Sequence, residues 1–266
     1  GSPPDDAEIL ANLGQIPPNP HSGNYVVDYY DRRRGPYDLG PNFPPYHEWR
    51  QSPFHTTSRL CATCHDVSNP VYERQPNGTY ALGALDTPNV SASKFDQFPV
   101  ERTFSEWSAS LFAQGPVNVG GRFGGNLTAV STCQDCHMPP TTGNGARQGA
   151  VRNDLPTHYF NGGNTWVLNA VRNLYPDADT RLSDDAVNAS IARAYDMLDK
   201  ASDMQLSVAN GQLKVRVINM TGHKLPTGYP EGRRMWVNVK FFNSGAQLIA
   251  ERGAYDNATA VLTQND

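Results

Sequence analysis

Residues 61–65, Cys-Ala-Thr-Cys-His, and residues 133–137, Cys-Gln-Asp-Cys-His, repeat one pattern: two thiols three positions apart with an imidazole directly behind the second. The chain has four cysteines, and the two motifs use them all. Two disulfides would leave the histidines without a reason. A zinc site built from two C-x-x-C pairs has no use for a histidine after each, and these pairs stand far apart in the chain. A thioredoxin-like redox pair wants a βαβ setting, which neither motif has. Attachment of c-type haem explains every position. The two thiols bond the porphyrin vinyl groups as thioethers, and the histidine that follows becomes the proximal ligand of the iron. On this reading Cys61 and Cys64 hold one haem c over His65, and Cys133 and Cys136 hold a second over His137. Attachment of this kind implies export, hence a periplasmic or extracellular location. The haem propionates would add to a formal charge that is already -4.

Each iron then needs a second axial ligand. The remaining histidines are His21, His47, His55, His158 and His223, and the methionines are Met138, Met197, Met204, Met220 and Met235. Met138 follows a proximal histidine directly and has no route to the opposite face of the same haem. Met197 and Met204 lie in or beside an expected helix and read as packing. Spare histidines therefore make bis-histidine ligation the expectation, with a correspondingly negative potential. His158 stands in "DLPTHYFNGGN", where glycines let backbone approach a flat ring. His223 stands in "NMTGHKLPTGYPEGRRMW"; its competing reading is a histidine bonded within a tight turn. One of His47 and His55, in "PYHEWRQSPFHTTSRLC", is a further candidate, and Pro53 breaks any helical spacing that would choose between them. His21 is the weakest candidate.

The elements that must position these residues are irregular. Hydrophobic residues make up 38% of 266, which is low for a core filled by side chains alone. With 23 glycines and 21 prolines, long irregular stretches need something rigid to order them. The acidic balance excludes a nucleic-acid face. No apolar run is long enough for a transmembrane segment, and "GSPPDDAEIL" is not a signal peptide. A short helix is expected over "DDAEILANLG". "YYDRRRGPYD" reads as a solvated turn, with pairing of its arginines to haem propionates as the alternative. "ERTFSEWSASLFAQG" predicts a helix from Thr103 to Gly115 with Phe104, Trp107, Leu111 and Phe112 on one face. "VGGRFGGN" has neither the lysine nor the glycine order of a phosphate loop. "LSDDAVNASIARAYDMLDKAS" predicts a helix capped by Ser183, with Val187, Ile191, Tyr195 and Leu198 recurring along it. After Ser202 the period changes to two, with a hairpin turn at Asn210-Gly211 and a second turn at Ser244-Gly245. That is a β-sandwich pattern, but only four or five strands fit. The expectation is an α+β chain. A haem-organised helix and loop region over 1–203 precedes a small, incomplete antiparallel β-sandwich over 204–266, as in a piece of a longer protein or one completed by a partner.

Together, "FPVERTFSEWSASLF", "STCQDCHMP", "LPTHYFNGGN" and "GHKLPTGYPEGRRMWV" resemble the large multihaem c-type cytochromes of bacteria, over about residues 25–260. The resemblance implies an Ig-like β-domain after the haem region. It also implies electron transfer through mainly bis-histidine haems in the periplasm or on the cell surface, and it favours His158 and His223 as distal ligands. Its partners would be other redox proteins or further haem cytochrome segments, in a possible oligomer or larger assembly. The chain departs from the pattern in having two haem motifs where such proteins usually have more. The rival expectation is a multihaem oxidoreductase with one open-site haem, acting on a small nitrogen or sulfur oxyanion. Arg233, Arg234 and the Arg32–Arg34 cluster could supply charge to it, and the surplus of histidines argues against an open site.

Overall fold

The structure is a computed structural model and describes residues 21–24, 27, 28, 30–41, 47–91, 93–147, 149–229 and 232–263. The expected helix at the start of the chain lies outside them. The chain divides into two compact units, residues 1–224 and 225–266. Among the described residues the architecture is α+β, with six short-to-medium α-helices and strands that pair only two by two.

The first unit opens with β1 (Arg32–Gly35), paired in parallel with β2 (Glu48–Gln51). The basic cluster is not a solvated turn. Arg32 and Arg34 both bond Asp28, at 2.9 and 2.8 Å, and all three side chains are largely buried; Arg33 alone points to solvent. A 3-10 turn over Pro53–Thr56 leads into α1 (Ser58–Ala62), which carries the start of the first motif. Next come β3 (Val67–Asn69), β4 (Tyr72–Arg74), β5 (Tyr80–Leu82) and β6 (Phe98–Glu101). β4 pairs with β5 as a hairpin, while β3 pairs antiparallel with β6 and sets Val67 opposite Glu101.

The aromatic helix is shorter than the periodicity predicts. α2 spans Thr103–Ser108, and a separate 3-10 turn covers Leu111–Gln114. Serine hydroxyls explain the break: Ser108 Oγ donates to the Ser105 carbonyl and Ser110 Oγ to the Trp107 carbonyl, competing with the helical bonds. Leu111 consequently leaves the apolar face and is 69% exposed. β7 (Val117–Asn118) and β8 (Ala129–Val130) then close the glycine-rich loop. Gly125 in that loop has φ +67, and a Cβ there would meet Pro140 Cδ at 2.6 Å. Only glycine fits this approach.

α3 (Cys133–His137) holds the second motif and begins with a capping box between Thr132 and Asp135. β9 (Pro140–Asn144) and β10 (Val151–Pro156) follow as an antiparallel pair, then α4 (Val167–Leu174), α5 (Asp177–Thr180) and α6 (Asp184–Lys200). Ser183 caps α6 as the sequence predicts, accepting from the Ala186 N–H. The buried stripe differs from the predicted one: Val187 and Ala194 are buried, while Tyr195 and Leu198 are exposed. β11 (Ser202–Ala209) and β12 (Gln212–Asn219) form the expected hairpin, in full register from Ser202–Asn219 to Ala209–Gln212. Asn210 and Gly211 both have positive φ, as this two-residue turn requires. Arg122, from the glycine-rich loop, grips both carboxylate oxygens of Asp203 at the base of the hairpin.

In the second unit β13 (Val239–Phe242) pairs with β14 (Leu248–Arg252), and β15 (Tyr255–Asp256) with β16 (Val261–Leu262). The turn between β13 and β14 lies at 243–247, around the predicted Ser244-Gly245, and Asn243 Oδ1 accepts from the Gly245 and Gln247 N–H groups. The preceding strand is shorter than the alternation suggests. Apolar side chains of the β13–β14 hairpin remain open, among them Phe242 and Ile249, as does Val208 on β11 of the first unit.

Candidate functional site

The two Cys-x-x-Cys-His motifs meet. The Cys133 N–H, at the start of α3, donates to Ser58 Oγ at the start of α1 (3.1 Å). The Gln134 amide donates to the Thr57 carbonyl (2.7 Å) and the His55 carbonyl (3.2 Å). Ser58 and Ala62 are buried at this junction. The interaction between the Cys61 and Cys133 thiols holds Cys133 below its ordinary pKa and, with burial, pushes Cys61 above it. Burial and the neighbouring Asp135 carboxylate push Cys136 up to about 12. None of the four cysteines is in a disulfide. The 67 intervening residues, 66–132, thus fold so that the two Cys-x-x-Cys-His motifs share one seam.

The second motif has a facing histidine. The ring of His223 lies nearly parallel to that of His137, at 21°, with ring centroids 6.5 Å apart. His137 Nδ1 is 2.6 Å from the Asn161 carbonyl oxygen, and His223 Nδ1 is 3.1 Å from that of Lys224. A carbonyl oxygen only accepts, so each Nδ1 carries the proton and each Nε2 holds the lone pair. Burial lowers the pKa of both rings, against the opposing effect of those carbonyl bonds. Both are therefore neutral at neutral pH, as metal ligation requires. With a metal–imidazole bond of about 2 Å and about 1 Å from nitrogen to ring centre, two imidazoles that shared one metal would have centroids no more than about 6 Å apart. The 6.5 Å separation is close to that reach, and a carbonyl on Nδ1 is the usual outer partner of a ligating histidine.

The His223 loop is held in place by the aromatic helix. The Lys224 N–H donates to Glu106 Oε2, and Lys224 Nζ reaches Glu106 Oε1, each at 3.0 Å. Gly222 lies against Trp107 and Phe112 so closely that a Cβ would stand 2.9 Å from Trp107 Cδ1. Trp107 is stacked on Phe104, and its indole N–H donates to the Ser131 carbonyl just ahead of the second motif. α2 thereby ties His223 and the second motif to one support.

His65 sits in a different setting. Its Nδ1 lies 2.9 Å from Glu101 Oε1, and the side chain is 60% exposed. The carboxylate raises the His65 pKa. Glu101 is delivered by the pairing of β3 with β6, and Thr103 Oγ1 donates to the same oxygen at 3.0 Å. Directly behind His65, Asp66 is wholly buried. Its carboxylate takes the ammonium of Lys94, Arg102 Nη1 and the Ser105 hydroxyl. Arg102 also donates to the Val67 and Lys94 carbonyls and to Ser68 Oγ.

The other sequence candidates are spread out. His158 is exposed, with its ring 5.7 Å from Phe160. His47 Nδ1 lies against the Glu48 carbonyl and His55 Nδ1 against the Ser52 carbonyl. His55 lies next to the seam, through its own carbonyl bond to Gln134. His21, the weakest candidate by sequence, is 4% exposed. Its turn is bonded to the first motif, through Ser22 N–H to the Asp66 carbonyl and Gly23 N–H to the Thr63 carbonyl. No local pattern around "PPNPH" signals that contact. Glu101, Asp66 and Glu106 were likewise missed, because strand register and helix packing bring them to the site. Of the cations considered for substrate charge, Arg32 and Arg34 pair with Asp28, and Arg233 donates to the Thr227 carbonyl.

Among the described residues no group of three or more His, Cys, Asp or Glu side chains is poised to hold a bare metal ion. A haem iron takes four nitrogens from its porphyrin and needs only two side chains, so a facing histidine pair is the arrangement to look for. No helix among the described residues is long and apolar enough to cross a membrane. No family model, curated protein or solved structure matches the chain.

Proposed function

We propose that this chain is an electron-transfer protein carrying two covalently attached c-type haems, within a periplasmic or cell-surface multihaem cytochrome. Cys61 and Cys64 would fix one haem over His65, and Cys133 and Cys136 the other between His137 and His223. When bound, haem supplies a one-electron iron couple, whose potential the protein sets through axial ligands, hydrogen bonds and burial. The observation that carries this reading is the His137–His223 pair, at a spacing close to the reach of one metal, directly behind a complete attachment motif. The carbonyls of Asn161 and Lys224 keep both rings in the ligating tautomer. The seam between α1 and α3 supports close approach of the two haems, so an electron could pass between them over a short distance. The small set of buried apolar side chains among the described residues is in keeping with a fold that rigid cofactors organise. His158, His47 and His55 remain candidate ligands, for the first haem or for haems of neighbouring segments. The open hairpin faces suit an Ig-like β-domain with further strands. Its partners would be other redox proteins or haem segments.

A second reading is an oxidoreductase acting on a small nitrogen or sulfur oxyanion at an open face of one haem. Absorption and electron paramagnetic resonance spectra of the native protein separate the two. Wholly low-spin haem that ignores cyanide and carbon monoxide supports electron transfer. A high-spin fraction that binds either one supports the enzyme.

A further inference from the structure

The two proximal histidines differ in what holds them, and we infer that Glu101 sets the first haem at a lower potential than the second, giving the pair a built-in direction of electron flow. This rests on the haem reading above. His65 Nδ1 donates to a carboxylate, Glu101 Oε1, at 2.9 Å. His137 Nδ1 donates to a neutral backbone carbonyl, that of Asn161, at 2.6 Å. A carboxylate partner draws the imidazole proton harder, raises the basicity of the opposite nitrogen, and favours the more highly charged ferric iron. A backbone carbonyl does so less.

Among the described residues, Asp66 directly behind His65 holds Lys94 and Arg102, a largely buried group with a net single positive charge, and Arg102 Nη1 also donates to the Glu101 carbonyl oxygen. The Glu101 carboxylate is the charged group bonded to the His65 ring itself. Glu101 is held for this role: β6 pairs with β3, Val67 lies opposite it, and Thr103 Oγ1 bonds the same oxygen that His65 uses. It acts through His65, so it is a positioning residue. Electrons entering from a low-potential donor would be taken up at the first haem and come to rest at the second.

The test is spectroelectrochemical titration of the full holoprotein, each wave being the one-electron reduction of a ferric to a ferrous haem by the electrode. The native protein is expected to give two resolved waves. Glu101→Gln should move the more negative wave to higher potential and leave the other in place. Glu101→Asp, which keeps the charge at a longer reach, should give a smaller shift in the same direction. Coincident waves in the native protein would overturn the inference without any variant. So would a Glu101→Gln shift that is absent, confined to the more positive wave, or equal in both. Intact mass of the same samples keeps the two claims apart: fewer than two haems per chain defeats the haem reading and this inference with it, whereas two haems with unmoved waves defeats the inference alone.

Discussion

Gly222→Ala is a single-methyl test of how His223 is placed. The added Cβ would stand 2.9 Å from Trp107 Cδ1 and 3.5 to 3.6 Å from two atoms of Phe112. Carbon atoms settle at about 3.5–4.0 Å, so loop and indole must separate by about 0.5–1 Å. Neither moves freely. The indole is stacked on Phe104 and donates to the Ser131 carbonyl at 2.8 Å. The loop is pinned two residues on by both bonds between Lys224 and Glu106. Overpacking of this kind costs about 1–3 kcal/mol. At about 2–4 °C per kcal/mol for a unit of this size, the midpoint of thermal unfolding should fall by about 2–12 °C. His223 follows Gly222 directly, so the same displacement pulls its ring away from His137. With centroids already at 6.5 Å, a further half-ångström stretches a metal–nitrogen bond beyond its working length. Calorimetry and the absorption spectrum read the two consequences: a lower midpoint and a partial loss of low-spin character. Gly35→Ala, in β1, is the control, because no atom lies within 4 Å of its Cβ position. A Gly222→Ala protein with the native midpoint and native spectrum would refute the packing argument.

Asp66→Asn removes the charge that Lys94 and Arg102 share in a buried cluster, at a cost of about 3–5 kcal/mol; denaturant titration should show a matching loss. Thr132→Ala deletes one half of the capping box at the second motif and should cost about 1 kcal/mol in the same assay, without changing haem content. Burial alone would raise the Asp28 carboxyl, but bonds from Arg32, the Tyr30 N–H and Arg34 outweigh it and hold it at about 2. Because its folded pKa is depressed, its stabilising effect is full above the ordinary carboxylate value and is lost as pH falls towards 2. The gap in unfolding midpoint between the native protein and Asp28→Asn should therefore be widest above pH 5 and close by about pH 2.

What was legible in the sequence is local. Cys-x-x-Cys-His is a fixed five-residue pattern, Ser183 caps the helix it precedes, and Asn210-Gly211 makes the turn that its backbone angles demand. His223 stood out by its loop of glycine and proline, although nothing in the sequence paired it with His137 rather than His65. That pairing depends on α2, which joins Gly222, Lys224 and Ser131 through side chains with no shared spacing. Glu101 reaches His65 only through the register of β3 with β6, and Asp66 gains its cations from two separate elements. The break after Ser108 was hidden because apolar periodicity ignores hydroxyls that bond backward along the chain. The buried stripe of α6 was misjudged because periodicity ranks large side chains above Ala194, the residue that fits against its neighbours.

The most direct test of the central claim is the intact mass of the native protein under denaturing conditions, beside the variant Cys133→Ala/Cys136→Ala. Thioether-linked haem survives denaturation, so the account requires the chain mass plus two haems for the native protein and one fewer for the variant. A native chain that leaves its haem behind on denaturation, or carries none, would contradict it.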